Sequence, residues 1–552
     1  MSEISKVKET IKTGYRKEGE FSMTYQLVTP HYLKRAAKLY PEKVGFVSEE
    51  REFTYAELYE RIQRLSHGLA RLGVKQGDRV AYLATNSLEM YEGFYGVGQI
   101  GAIHVPLNSR LVGEDFVYIL NHSGATVIYV DCQFLDTILD IRDQLPNLRT
   151  IISNRKGVSG VICYEELLQT SNKEPFDYSH VKENDVASLL YTSGTTGDPK
   201  GVMLTHRNNY LQAMQAMHHL EVSDRDVLLH ILPMFHVNGW GSPFYYTANG
   251  ATQVGLDKVD PAVIFDKINR YGVTIMHMAP TVLNMLLEYA SHHDVPKQEQ
   301  DIRIIVAGAA PPLAFIRRAE HELGWTFIQV YGMTETSPLI TTSKIRATQA
   351  KDEAERIFEL KARTGYDMIG GEIKVVNDQG EEVAPNGEEV GEIIYRGNNM
   401  MKGYWNDPEE TAKTIKNGWL HTGDLAVRYP DESVLIVDRK SDIIISGGEN
   451  ISSLEVESAL YEHEGVKEVA IIAAPHEKWG ETPMAIVVKR EDHEFLTAED
   501  IINFSRSRLA TYKAPTIVKF TDELPKNANG KILKHELRRQ FVENYILTGE
   551  SL

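Results

Sequence analysis

Apolar positions along the chain alternate between two periods. Ile62, Leu65, Leu69 and Leu72 recur at helical spacing, and Gly73 follows as a stop. Val80–Leu83 then reads as a buried strand, as do Thr126–Val130, Asp226–Ile231 and Ile302–Val306. Helical patterns separate them, for example at Pro280–Leu287. Apolar strands alternating with helices predict α/β architecture with mostly parallel sheets.

Between residues 370 and 400 the pattern changes. Glu372–Val376, a turn at Asp378-Gln-Gly380 and Gly391–Tyr395 predict antiparallel strands with tight turns. From residue 441 another α/β unit is expected. It has a helix near Ser453–Tyr461, strands at Val469–Ile472 and Met484–Val488, and a helix N-capped by Thr497. The polar strip Asp438-Arg-Lys-Ser-Asp442, between two apolar strands, marks a domain boundary.

Composition is globular: 42% hydrophobic and 25% charged over 552 residues. Lys plus Arg number 59 against 77 Asp plus Glu, a net charge of −18, which argues against a broad nucleic-acid surface but leaves room for a local phosphate site. The two cysteines, Cys132 and Cys163, form neither a disulfide framework nor a metal-ligand pattern, and suggest reduced thiols in a cytoplasmic protein. No run of 18 apolar residues predicts a membrane span. Residues 1–22 are polar and mixed in charge, without the apolar core of a secretory signal, and read as a mobile or weakly helical arm.

The most informative chemistry lies at Tyr191-Thr-Ser-Gly-Thr-Thr-Gly-Asp-Pro-Lys-Gly201. Thr192, Ser193, Thr195 and Thr196 offer hydroxyls, Gly194 and Gly197 let backbone N–H groups approach an anion, and Lys200 adds a cation. Small donors plus one charge make a polyphosphate cradle. It is not a Walker A element, because Gly201 follows Lys200 where Ser or Thr is needed.

This string resembles the signature of the adenylate-forming superfamily: acyl- and aryl-CoA synthetases, peptide-synthetase adenylation domains and firefly luciferase. The resemblance runs in order from Phe53-Thr-Tyr-Ala-Glu-Leu58 to Lys531. It implies a large N-terminal domain (23–438) of two α/β subdomains plus a small β-barrel-like subdomain, then a small mobile α/β C-terminal domain (439–552). In Tyr331-Gly332-Met-Thr334-Glu335, the resemblance places Thr334 at phosphate and Glu335 on Mg²⁺, a cation that favours oxygen ligands. Gly308-Ala309-Ala310, after a strand, leaves room for adenine. Asp424 resembles the residue that accepts both ribose hydroxyls, and Arg439 a second ribose contact. Lys531, in Asn-Gly-Lys, reads alone as part of an exposed basic loop; the resemblance makes it the lysine bridging substrate carboxylate and α-phosphate. Ser441 stands at the hinge position, where Asp or Lys is usual. After a domain rotation, Ser446, Gly447 and Gly448 would face the thiol tunnel, with Trp479 and Lys513 as further CoA contacts.

The implied reaction joins a carboxylic acid to coenzyme A through acyl-AMP, with ATP and CoA as co-substrates and Mg²⁺ as cofactor. A homodimer is a further expectation. A carrier-protein ligase and a non-catalytic nucleotide-binding regulator are the alternatives. The short segment after Lys531 leaves no room for a fused carrier, and retention of Lys531, Glu335 and Asp424 opposes the regulator. Pro233-Met-Phe-His236-Val-Asn238-Gly239-Trp240 bears on the acid. Amino-acid-activating relatives carry Asp after this Phe; His236 resembles fatty-acyl and aryl synthetases, where the matching His lies near the acyl carboxylate. Asn238, Gly239 and bulky Trp240 would line the acyl pocket, Trp240 as wall or gate, favouring a short- or medium-chain or compact aryl acid. Trp240→Gly is predicted to widen chain-length tolerance; an unchanged substrate profile would remove Trp240 from the pocket.

Overall fold

The computed structural model describes residues 25–192, 198–295, 300–309, 311–527 and 530–543. The expected N-terminal arm, Ser193–Gly197 of the cradle and Ala310 lie outside these residues.

Among the described residues, two large sheets share a layer of helices. One sheet orders its strands 403–404, 200–205, 186–192, 103–106, 79–83, 127–130, 150–153, 161–163, and the other 366–367, 339–342, 326–332, 303–306, 275–278, 227–229, 252–254, 44–48, 51–54. The central pairings of both are parallel. Successive strand residues serve opposite faces. Val80 and Tyr82 enter the core between the sheets while Ala81 and Leu83 enter an outer core. Ile305 points inward while Ile304 and Val306 point outward. Burial on both faces explains why these strands read as unbroken apolar runs. The shared layer includes Tyr55–Arg71, Leu88–Ile100, His206–His219 and Ser242–Asn249. The first begins at a reciprocal capping box between Thr54 and Glu57.

The expected strand Asp226–Ile231 is shorter, Val227–Leu229. At its start Asp226 turns its carboxylate onto Ser223 N–H (2.7 Å) and Thr274 Oγ1 (2.8 Å). At its end Asn86 Nδ2 donates to His230 O (2.6 Å) and Leu232 O (3.1 Å) while Asn86 Oδ1 accepts from Met234 N–H (2.6 Å). One amide thus draws the chain off the sheet toward His236.

The antiparallel region also forms: Gly371–Val376, Val390–Gly397, Trp419–Arg428 and Val434–Arg439 make a separate sheet. Beyond it, strands 444–446, 449–451, 466–476, 480–489 and 517–520 build the small C-terminal domain's sheet. Val469 and Ile471 face one core, Ala470 and Ile472 the other. Thr497 caps Ala498–Arg508 by accepting from Asp500 N–H.

The small domain rests on the helix Pro280–His292 of the large one. Glu288 pairs with Arg318 (2.8 Å) and with Arg490 of the small domain, Phe315 meets Tyr461 edge-on, and Thr281 Oγ1 donates to Gly530 O (3.0 Å). Gly530 holds φ +80°, and a Cβ there would lie 2.3 Å from Thr281 Oγ1, so only glycine allows this approach. Gly530 is therefore docked, where the composition of its loop alone suggested exposure. A partly exposed pair contributes about 1 kcal/mol. Glu288→Ala should accelerate amide exchange in the Gly530–Lys531 loop by about fivefold; an unchanged rate would show that the remaining contacts suffice.

Candidate active site

Strands Val186–Thr192 and Lys200–Thr205 pair antiparallel, with Thr192 opposite Lys200, and so hold both ends of the cradle. Lys200 forms an ion pair with Glu410 and lies 5.5 Å from the Tyr404 ring centroid. Tyr404 pairs with Val202 and donates its hydroxyl to Glu335 Oε1 (2.8 Å). Glu335 is buried, and burial raises its carboxyl above the usual range, opposed by the Tyr404 hydrogen bond and by the charges of Arg439 and Lys200. It sits in the short turn Thr334–Thr336, whose carbonyl at Thr336 accepts from Asn399 Nδ2 (2.7 Å). Met333 occupies the cap position of that turn.

Glu335 fits a nucleotide-borne cation. Among the described residues there is no group of three or more His, Cys, Asp or Glu able to enclose a metal. One buried carboxylate, with Oε1 steadied by a phenol, suits a hard cation whose other ligands are phosphates and waters.

On the antiparallel sheet, Asp424 and Arg439 are direct cross-strand partners. Asp424 Oδ1 lies 3.3 Å from Arg439 Nε, and Oδ2 accepts from Tyr331 Oη at 2.7 Å. Gly308 follows the strand Arg303–Val306 at φ +96°, and a Cβ there would meet nothing within 4 Å. With exposed Ala309 beside it, this edge leaves open space for a flat ring. Gly332 is needed for a different reason: a Cβ would fall 1.7 Å from Pro338 O.

Lys531 closes the arrangement from the small domain. Burial in the interdomain cleft, reinforced by Arg439, lowers its ammonium to about 8, against the pull of Asp424 and Asp442. His236 is lowered to about 4 by burial and by Lys531, and is therefore a neutral imidazole. The structure brings Lys531, His236, Asp424 and Arg439 into one electrostatic neighbourhood.

After His236 the backbone turns left-handed for five residues: φ is +46° at Val237, +53° at Asn238, +61° at Gly239, +57° at Trp240 and +75° at Gly241. For residues with a Cβ this costs about 1–2 kcal/mol each. Asn238 Nδ2 secures the turn by donating to Ser188 Oγ (3.1 Å) and Asn209 Oδ1 (3.3 Å). Its Nδ2 thus braces the scaffold. Trp240 is 5% exposed and stacks on His277 at 5.8 Å and 21°.

Of the residues expected at CoA, Ser446 pairs with Gly480, Gly447 N–H donates to Trp479 O (2.8 Å), and Gly447, Gly448 and Trp479 are exposed. Lys513 is held by Glu455 at 2.7 Å. Ser441 lies in the turn after strand Val434–Arg439, and its carbonyl accepts from Arg538 (3.4 Å).

Tyr404, Glu410, Asn86 and His277 escaped the sequence reading. Each acts through a partner distant in the chain, so no local spacing marked it.

The sequence profile of the AMP-binding enzyme family matches residues 33–405, and that of the AMP-binding enzyme C-terminal domain matches residues 455–531. A peroxisomal butyrate–CoA ligase of Arabidopsis thaliana is 37% identical over 526 residues, covering 92% of each chain. A 4-hydroxybutyrate–CoA ligase of Metallosphaera sedula is 36% identical over 525 residues, covering 94% of this chain and 95% of that one. The o-succinylbenzoate CoA synthetase of Bacillus subtilis, solved with its acyl-adenylate, superposes with a TM-score of 0.79 at 31% identity, covering 92% of this chain and 98% of that one; another structure of it holds ATP and a magnesium ion. With both profiles in chain order on the two domains, the chain belongs to the AMP-binding enzyme family of the adenylate-forming superfamily.

Proposed function

We propose that the protein is an ATP-dependent acid–CoA ligase that forms acyl-AMP. The observation that carries this reading is the Lys531 ammonium, brought by the small domain beside Asp424 and His236 of the large one and next to Arg439 at the domain boundary. The curated relatives named above are CoA ligases. The acid is a short- or medium-chain fatty acid or a compact aryl acid; the relatives act on butyrate and 4-hydroxybutyrate.

In the first step a carboxylate oxygen attacks the α-phosphorus of ATP, and the bond to pyrophosphate breaks. Two anions must meet, and Lys531 offsets their repulsion and the charge that develops between them. Asp424 and Arg439 hold the ribose, Gly308 and Ala309 border the adenine, and neutral His236 lies at the acyl carboxylate without adding charge. Lys200 steadies the phosphates and gives up Glu410 to do so. Mg²⁺ on Glu335, when bound, would neutralise the departing pyrophosphate. In the second step the CoA thiol attacks the acyl carbonyl and AMP leaves. The domain boundary is placed at 438/439 and the hinge at Ser441, so that rotation brings Ser446–Gly448, Trp479 and Lys513 to CoA.

Among the described residues no helix is long and apolar enough to cross a membrane. Cys132 and Cys163 are both free thiols, which supports a reducing compartment, here taken as the cytoplasm.

Lys531→Ala should slow acid-dependent AMP-ester formation by about 10²–10³ while leaving thioester formation from supplied acyl-AMP largely intact; equal loss of both half-reactions would sink the assigned role. Because Lys531 is lowered to about 8 and must carry its proton, kcat/KM for adenylation should fall as pH rises above about 8. Bound anions stabilise the ammonium, so the corresponding fall in kcat should come at higher pH. Lys531→Arg should keep its charge and flatten the alkaline limb; an unaltered limb would assign it to another group.

A further inference from the structure

The segment that carries Lys531 is held at two places. It pairs with itself: Asn527 N–H donates to Lys531 O (2.8 Å), Asn527 Oδ1 accepts from Lys531 N–H (2.9 Å), and Leu533 N–H donates to Pro525 O (2.9 Å). On one side Gly530 O accepts from Thr281 of the large domain. On the other, Lys534 opens the helix Lys534–Arg538 and turns its ammonium inward, its side chain 13% exposed. Only three residues separate it from Lys531.

Lys534 Nζ donates to Ser453 Oγ and lies 2.7 Å from Glu457 Oε1. That oxygen also accepts from Ile471 N–H at 2.8 Å, which fixes the carboxylate to the strand Val466–His476. Ser453 is fully buried at the start of the helix Ser453–Leu460. Its N–H donates to Asp438 Oδ2 at 2.6 Å, and Asp438 lies on the strand Val434–Arg439 of the antiparallel sheet. Asp438 Oδ1 accepts from Arg439 N–H (2.8 Å), and Arg439 is the cross-strand partner of Asp424. These contacts close a circuit. It runs from Asp424 through Arg439, Asp438, Ser453 and Lys534 to Lys531, which faces Asp424 again.

Lys534 meets carboxylates from three elements: Glu457 on the helix, Asp438 on the strand and Asp442 in the turn after it. Its charge opposes the rise that burial imposes on all three. An ammonium shared in this way has little freedom, because a shift would leave a buried carboxylate without its counter-ion.

We propose that Lys534 is a positioning residue for Lys531: it locks the segment bearing the Lys531 ammonium to the helix Ser453–Leu460, which Asp438 ties to the antiparallel sheet, and so fixes that ammonium against Asp424. This rests on the ligase reading and adds a residue to it. Lys534 touches no substrate; it acts through the placement of Lys531.

The test uses the full-length protein with butanoate as the acid and reads acyl-AMP formation separately from thioester formation on supplied butanoyl-AMP. Lys534→Met should lower kcat/KM for acyl-AMP formation by about 10–50-fold, part of what a preorganised charge supplies, and leave the thioester step within about twofold. Lys534→Arg, which keeps the charge, should recover acyl-AMP formation to within about fivefold of the wild type. The alkaline limb is a second readout. Lys531 faces Arg439 and Asp424 from the sheet, Asp442 from the turn, His236 from the large domain and Lys534 from its own segment. Loss of the like charge at Lys534 raises the Lys531 ammonium, so the limb should move to higher pH by about half a unit or more. Lys534→Met leaves Glu457 buried and unpaired; the double variant Lys534→Met/Glu457→Gln removes both charges and should show the same selective loss and the same shift. A role confined to the stability of the small domain would lower the melting temperature, change both half-reactions together and leave the limb in place. That pattern in the double variant, or wild-type acyl-AMP formation by Lys534→Met, would overturn the proposal. Absence of acid-dependent pyrophosphate release by the wild type with butanoate and benzoate alike would instead overturn the ligase reading.

Discussion

The proposed chemistry depends on keeping an ammonium in a place where no group among the described residues fully balances it. Lys531 enters a covered cleft next to Arg439, and the nearby carboxylates of Asp424 and Asp442 only partly compensate. Asp424 is already shared between Arg439 and Tyr331. In the proposed reaction a cation in that position would meet the triphosphate and the carboxylate, two anions that arrive from outside. The Gly530–Thr281 approach, the edge-on meeting of Phe315 with Tyr461 and the bridge through Glu288 exist at the surface that delivers it.

The same logic orders the large domain. Open-sheet architecture leaves the ends of parallel strands as the natural place for a ligand. Gly308, at a strand end, presents space, whereas Gly332 permits a crossing of two backbones. Glu335 is buried with one phenol on one oxygen, and that phenol also lies under Lys200. Through Tyr404 the basic end of the cradle and the acidic residue beneath it are parts of one assembly.

Much of this was legible in the residue order. Continuous apolar strands foretold sheets buried on both faces, and Val80, Ala81, Ile304 and Ile305 divide between two cores as such strands must. The clustered hydroxyls and glycines after Leu190 pointed to phosphate chemistry because they sit in one short string, whereas Asp424 and Lys531 took their roles from the family resemblance. What stayed hidden depended on distance. Asn86 shortens the strand at Leu229 from across the fold, and His277 meets Trp240 from another strand. The left-handed turn was equally invisible, since Val237 and Trp240 carry no local reason to adopt positive φ; the acceptors that hold it, Ser188 and Asn209, are distant in the chain.

The pairing of Lys200 with Glu410 has a consequence for how tightly a nucleotide can be held. A lysine left open in water gains its full Coulombic attraction to an incoming phosphate and sheds condensed counterions as it does so. In the proposed complex Lys200 would instead trade one oxyanion for another, with Lys413 3.5 Å from Glu410 to take up the released carboxylate. Association would then be an exchange of partners within the protein, with a smaller net gain, a shallower dependence on ionic strength and an easier release of a spent polyphosphate.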